Sequence, residues 1–191
     1  MLEYVVRQTA AYMESMPKQI RKKSGQFFTS IETARFMAGL FTIPAQPEIT
    51  ILDPRARTGI ITASLLERIS AIPAVERVHL ICYETDEKII PVLEDNLRYV
   101  TAHCLKKADY ELRTLNYITS QENAFNGGLF PESGITCDLC IGNPPYMKIG
   151  KDAPEAKAMP AICYGAPNLY FLFAAMSLFN VRDGGEMVYI I

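Results

Sequence analysis

Short apolar runs that break on a polar residue alternate along this chain with segments of helical spacing, and that alternation leaves few folds open. "ITILDP", residues 49–54, is rich in β-branched residues and stops at Asp53 and a proline. "RARTGIITASLLERI" follows it and returns to a helical period through Ile60, Ile61, Leu65 and Leu66. "RVHLICYETD" repeats the pattern with Glu84 at its end, and "EKIIPVLEDNLRYVTAH" is again helical, with Pro91 in the first turns where a missing donor costs little. A weaker strand is expected in "YELRTLNYI", a fourth in "ITCDLCIGN", and a last one in "EMVYII" after a helix from Asn168 to about Val181 and a turn at "RDGG". Strands alternating with helices predict a parallel sheet joined by right-handed crossovers, with helices on both faces. The expected fold is therefore α/β, a Rossmann-like, doubly wound and mostly parallel sheet.

Two segments fall outside the alternation. Leu2, Val5, Val6, Ala10 and Met13 have helical spacing and stop before Pro17; a basic stretch, "KQIRKKSGQFFTS", leads to Thr29 or Ser30 as the cap of a second helix. Residues 147–167 carry three further prolines, two glycines and mixed charge, which predicts a long mobile loop. With 191 residues, 49% of them apolar, the chain supports one core. Residues 1–191 are thus read as a single domain with a helical segment over 1–45.

Charge and cysteine content remove several functions. Nineteen basic and 21 acidic residues give a net charge of -2, so there is no global basic field and any contact with nucleic acid has to be local. Lys18, Arg21, Lys22 and Lys23 are the one basic cluster, and a solvated face is its plainer reading. The apolar segment from Tyr170 to Val181 is too short for a bilayer, and Glu3, Arg7 and Gln8 interrupt any signal-peptide core, so a cytoplasmic, non-membrane protein is expected. Five cysteines argue against a disulfide framework; Cys137 and Cys140 form a lone CxxC inside a strand, without the further ligands a zinc site needs.

Asn143-Pro144-Pro145-Tyr146 carries the chemistry. Adjacent prolines end the strand before them, because each lacks a donor and fixes φ. At the rim of a parallel sheet, where ligands sit, the Asn143 side-chain oxygen and the Pro144 carbonyl are two acceptors suited to one planar NH2 group. Such a nitrogen is a poor nucleophile, since its lone pair is delocalised. Accepting both its hydrogens concentrates electron density on it, most strongly as positive charge develops during attack. Tyr146 offers a face for stacking a planar substrate. Asp53, Glu84, Asn116 and Asn143 all fall at predicted strand ends.

"GNPPY", preceded by "LDPRARTG" and before that by "SGQFFTS", resembles the S-adenosylmethionine-dependent N6-adenine DNA methyltransferases of restriction-modification systems, in the arrangement where the cofactor motif comes first. The resemblance runs from about Lys22 to the last residue. It implies that Thr29 helps hold the methionine part of the cofactor. It places Asp53 and Gly59 in the cofactor loop, Glu84 on the ribose hydroxyls, Asn116 near the adenine amino group and Phe173 in the adenine site. Asn143, Pro144, Pro145 and Tyr146 take the catalytic and stacking roles, and double-stranded DNA is the implied partner, met through an intact protein or a partner chain.

Three departures temper it. The family loop reads Asp-Pro-Gly-x-Gly-Thr-Gly, and Arg55 and Arg57 stand at its first two glycines, where close approach and unusual backbone angles are needed. Cofactor affinity is therefore expected to be weak or lost. Asn116 replaces a usual aspartate. The chain also stops within what reads as a fifth strand, without a target-recognition domain. An uncovered "MVYII" edge would favour self-association. The alternatives are a degenerate, non-catalytic methyltransferase-fold remnant, or an Asn-Pro-Pro-Tyr methyltransferase acting on protein glutamine or ribosomal RNA guanine. A nicotinamide dehydrogenase is disfavoured by the absence of Gly-x-Gly-x-x-Gly.

Overall fold

The computed structural model describes residues 1–16, 28–127, 134–163, 165 and 167–191. Helices α1 (Leu2–Ser15) and α2 (Ile31–Gly39) precede strand β1 (Glu48–Asp53). Then follow α3 (Ile60–Ser70), β2 (Arg77–Tyr83), α4 (Ile90–Ala102), β3 (Lys107–Arg113), α5 (Glu122–Asn126), β4 (Cys137–Gly142), α6 (Pro154–Ala158), α7 (Leu169–Asn180) and β5 (Val181–Tyr189). The basic cluster at 18–23 lies outside the described residues, as does most of "SGQFFTS". Among the described residues no helix is long and apolar enough to cross a membrane.

The local signals act as physics requires. Ser30 caps α2, its hydroxyl accepting from the Thr33 N–H at 3.2 Å, and Pro91 occupies the first turn of α4. The five strands form one sheet in the order β3-β2-β1-β4-β5, and every pairing is parallel. Side chains alternate across it. Ile49, Ile51, Val78, Leu80, Leu139 and Ile141 meet the apolar faces of α1 to α4. Leu52, Ile81, Tyr83, Cys137 and Cys140 point the other way, into a cluster with Met159 and α7. Leu52, Leu80, Leu139 and Ile141 are at most 1% exposed, so the central strands are covered on both faces.

Three expectations shift. The third strand begins at Lys107, before the predicted run, because it follows the register of β2 from Arg77↔Lys107 to Tyr83↔Arg113. Residues 147–163 hold regular structure where a loop was expected: Pro154 opens α6, a 3₁₀ turn spans Pro160–Ile162, Lys148 bridges to Asn168, and Ala158 and Met159 are fully buried. Proline at the first helical position starts a helix as readily as it ends one. Finally, β5 begins immediately after α7. Its register jumps from Cys137↔Val181 to Leu139↔Glu186, so "RDGG" is an excursion inside the strand. Gly184 has φ +76° there, and a Cβ on Gly185 would lie 2.6 Å from the Asp138 carbonyl oxygen. Arg182 closes the excursion by pairing with Asp138 at 2.6 Å.

Candidate active site

The sheet order reverses between β1 and β4, and a crevice opens above the carboxyl ends of those two strands. Asp53 ends β1, Glu84 directly follows β2, Asn143 directly follows β4, and Asn116 lies three residues beyond β3. Residues far apart in sequence are thus brought to one rim.

The loop from Asp53 to Gly59 is held at several points. Asp53 is buried; its carboxylate accepts from the Thr62 hydroxyl at 2.6 Å and from the Arg55 N–H at 3.2 Å. Burial pushes its carboxyl up to about 7, against the pull of the Thr62 and Arg55 hydrogen bonds and with a smaller push from Glu84. The Ala56 N–H donates to the Tyr83 carbonyl at 2.8 Å and the Arg57 N–H to the Glu84 carboxylate at 3.1 Å, tying the loop to the end of β2. Arg57 has φ +56°, the one non-glycine residue in the left-handed region among the described residues. This is a position where the resembled loop has glycine, and the arginine bears the conformation glycine would take freely. Gly59, at φ +85°, then starts α3.

Three residues of this scaffold carried no signal in the sequence. Thr9 on α1 donates its hydroxyl to the Thr58 hydroxyl at 2.8 Å, and Asn96 on α4 donates its amide to the Thr58 carbonyl at 2.8 Å. Thr62 holds Asp53 from the first turn of α3. Each is a polar position on an otherwise apolar helical face, a pattern recognisable only once the partner loop is known.

Glu84 is buried, and its carboxylate also accepts from the Thr85 and Asp86 N–H groups at 2.8 and 2.9 Å. The Asn116 side-chain oxygen accepts from the Ile118 and Thr119 N–H groups at 3.0 and 3.2 Å, while its amide donates to Glu155 at 2.8 Å. Phe173 is almost buried on α7, its ring centroid 5.4 Å from that of Tyr117. Glu84, Asn116, Glu155 and Phe173 line a cavity of about 200 Å³, with Pro54 and Arg55 on its loop side.

Beyond Arg55 the crevice narrows. Phe28, Thr29, Arg55, Arg57, Ile61 and Asn143 leave a space of about 10 Å³ between them. The Arg57 guanidinium lies over the Phe28 ring at 5.4 Å. Burial, and next the charge of Arg57, lower the pKa of Arg55 from its ordinary value.

At the β4 end, Asn143 donates its amide to the Thr29 hydroxyl at 3.5 Å, and among the described residues no donor meets its side-chain oxygen. Pro144 is buried under the strand end. Tyr146 is 48% exposed, with its ring tilted toward Tyr170 at 6.2 Å and its hydroxyl bonded to the Ile190 carbonyl. An acceptor and an aromatic face therefore stand side by side at the mouth of the crevice.

Comparison with known proteins follows the same lines. No family model matches the chain. It is 27% identical over 178 residues to the Type II methyltransferase M.PstI of Providencia stuartii, covering 91% of this chain and 34% of that protein. It is 28% identical over 175 residues to the Type II methyltransferase M.BsuBI of Bacillus subtilis, again covering 34% of the relative. The chain thus spans about a third of the length of these curated relatives. Among solved structures, a Listeria monocytogenes protein assigned to the class I S-adenosylmethionine-dependent methyltransferases superposes with a TM-score of 0.60 at 16% identity, covering 91% of this chain and 51% of that one. A type I restriction-modification methyltransferase subunit of Streptococcus thermophilus superposes with a TM-score of 0.58 at 14% identity, covering 85% and 34%.

Proposed function

We propose that this chain, which has the fold of the class I S-adenosylmethionine-dependent methyltransferases, is the catalytic part of a restriction-modification DNA methyltransferase acting on the exocyclic N6 of adenine. S-adenosylmethionine is the cofactor expected for it, on the strength of both its sequence relatives and its structural neighbours. The observation that carries the reading is the placing of Asn143-Pro144-Pro145-Tyr146 at the strand end bordering the switch-point crevice, with the Asn143 amide turned to Thr29.

The residues present fit the expected cofactor in part. Glu84 and the ring of Phe173 line a cavity suited to a nucleoside. The loop side, where Arg55 and Arg57 leave about 10 Å³, does not fit an amino-acid arm in this arrangement. The chain's own contribution to chemistry is then limited to its β4 end. There the Asn143 side-chain oxygen and the Pro144 carbonyl would accept the two hydrogens of a target amino group, and Tyr146 would stack on the extruded base. When bound, the cofactor supplies an electrophilic methyl group.

The experiment is to incubate the chain with methyl-labelled S-adenosylmethionine and unmethylated genomic DNA, with release factor and ribosomal RNA in parallel. Label recovered as N6-methyladenine, and lost in Asn143→Ala, supports the reading. Label in protein or ribosomal RNA with none in DNA overturns the substrate. If neither the unaltered chain nor the Arg55→Gly, Arg57→Gly variant transfers methyl to anything, the catalytic reading of this chain falls.

A further inference from the structure

Arg55 divides the crevice into an open half and a closed one, because it lines both the cavity of about 200 Å³ and the residual space of about 10 Å³. In a sheet wound like this one, the acid after the second strand meets ribose hydroxyls, and whatever the ribose carries at its 5′ end crosses the first strand-to-helix turn. Here those two places are Glu84 and the loop from Asp53 to Gly59. The base-and-ribose side is open, and the 5′ side is narrow.

We infer that this crevice takes adenosine, a nucleoside without an amino-acid arm, in preference to S-adenosylmethionine; the inference rests on the crevice being the cofactor site as proposed above. The narrowness of the 5′ side is built in. Arg57 is fixed through its N–H to Glu84, and the next residue, Thr58, is gripped by Thr9 from α1 and Asn96 from α4. The guanidinium of Arg57 lies over Phe28, so an arm entering here has to move these side chains.

At the other end of the cavity, Glu155, positioned by the Asn116 amide at 2.8 Å, offers a carboxylate acceptor. That chemistry suits an exocyclic amino group and disfavours a carbonyl.

Equilibrium dialysis of the full chain against labelled adenosine, inosine and S-adenosylmethionine tests this, with the Arg55→Gly, Arg57→Gly variant alongside. Adenosine should bind at least tenfold more tightly than S-adenosylmethionine and than inosine, and the variant should reverse the order of adenosine and S-adenosylmethionine. Tighter binding of S-adenosylmethionine by the unaltered chain overturns the inference and leaves the cofactor-site reading standing. Equal binding of inosine overturns the role of Glu155. Absence of binding by every ligand to both proteins defeats the inference and the cofactor-site reading together. Should the variant fail to fold by circular dichroism, the ranking on the unaltered chain decides alone.

Discussion

Asp53 joins sequence, fold and pH response in one side chain. Its folded carboxyl titrates at about 7 because burial penalises the charge, whereas in an unfolded chain it ionises near the usual carboxylate value. Between those two values the folded protein holds a proton that the unfolded chain has released. The stabilisation from that proton is complete at acid pH and declines as pH rises through the window, levelling off above 7. Asp53→Asn removes the titration and keeps an acceptor for Thr62 or Arg55. The variant's urea midpoint, compared with the unaltered chain, should therefore gain steadily from pH 5 to pH 7; a pH-independent difference would refute the assignment. The strand-end residues of the site were legible in the sequence, since a polar residue closing an apolar run marks a sheet's rim. The grip of Thr9 and Asn96 on Thr58 was not legible, because it joins helices whose relative placement no local pattern encodes.

At the scale of elements, the strands were readable wherever apolar residues filled them, and β3 was the hardest to place because its charged residues hide its start. The segment 147–163 misled for a simpler reason: proline marks both the end and the beginning of helices, and Pro154 and Pro160 do the second. The junction of α7 with β5 depends on one glycine. A Cβ on Gly185 would meet the Asp138 carbonyl oxygen at 2.6 Å and a Val181 methyl at 2.7 Å, so backbone has to move. Gly185→Ala should destabilise the chain by about 3 kcal/mol in urea titration, the upper part of the range for forced overpacking. Gly39→Ala, at the end of α2 with nothing within 4 Å of the added methyl, is the control and should cost nothing. Equal effects of the two changes would rule out the packing explanation.

For the whole molecule, the two borders of the sheet differ. The β3 border carries Lys107, Asp109, Glu111 and Arg113 along its length, with Glu111 and Arg113 paired at 2.7 Å. Such charges discourage edge-to-edge pairing. The β5 border carries Met187, Val188 and Tyr189, and among the described residues β5 pairs with β4 alone. The strand order also sets a timetable for the nascent chain. Central β1 pairs with β2 early, but its other neighbour, β4, is translated about 90 residues later, a delay of roughly 5–20 s at ordinary elongation rates. Until then β1 keeps one side open and the crevice does not exist. The floor that is to hold a ligand is laid down first, and its second wall arrives only after about 90 further residues.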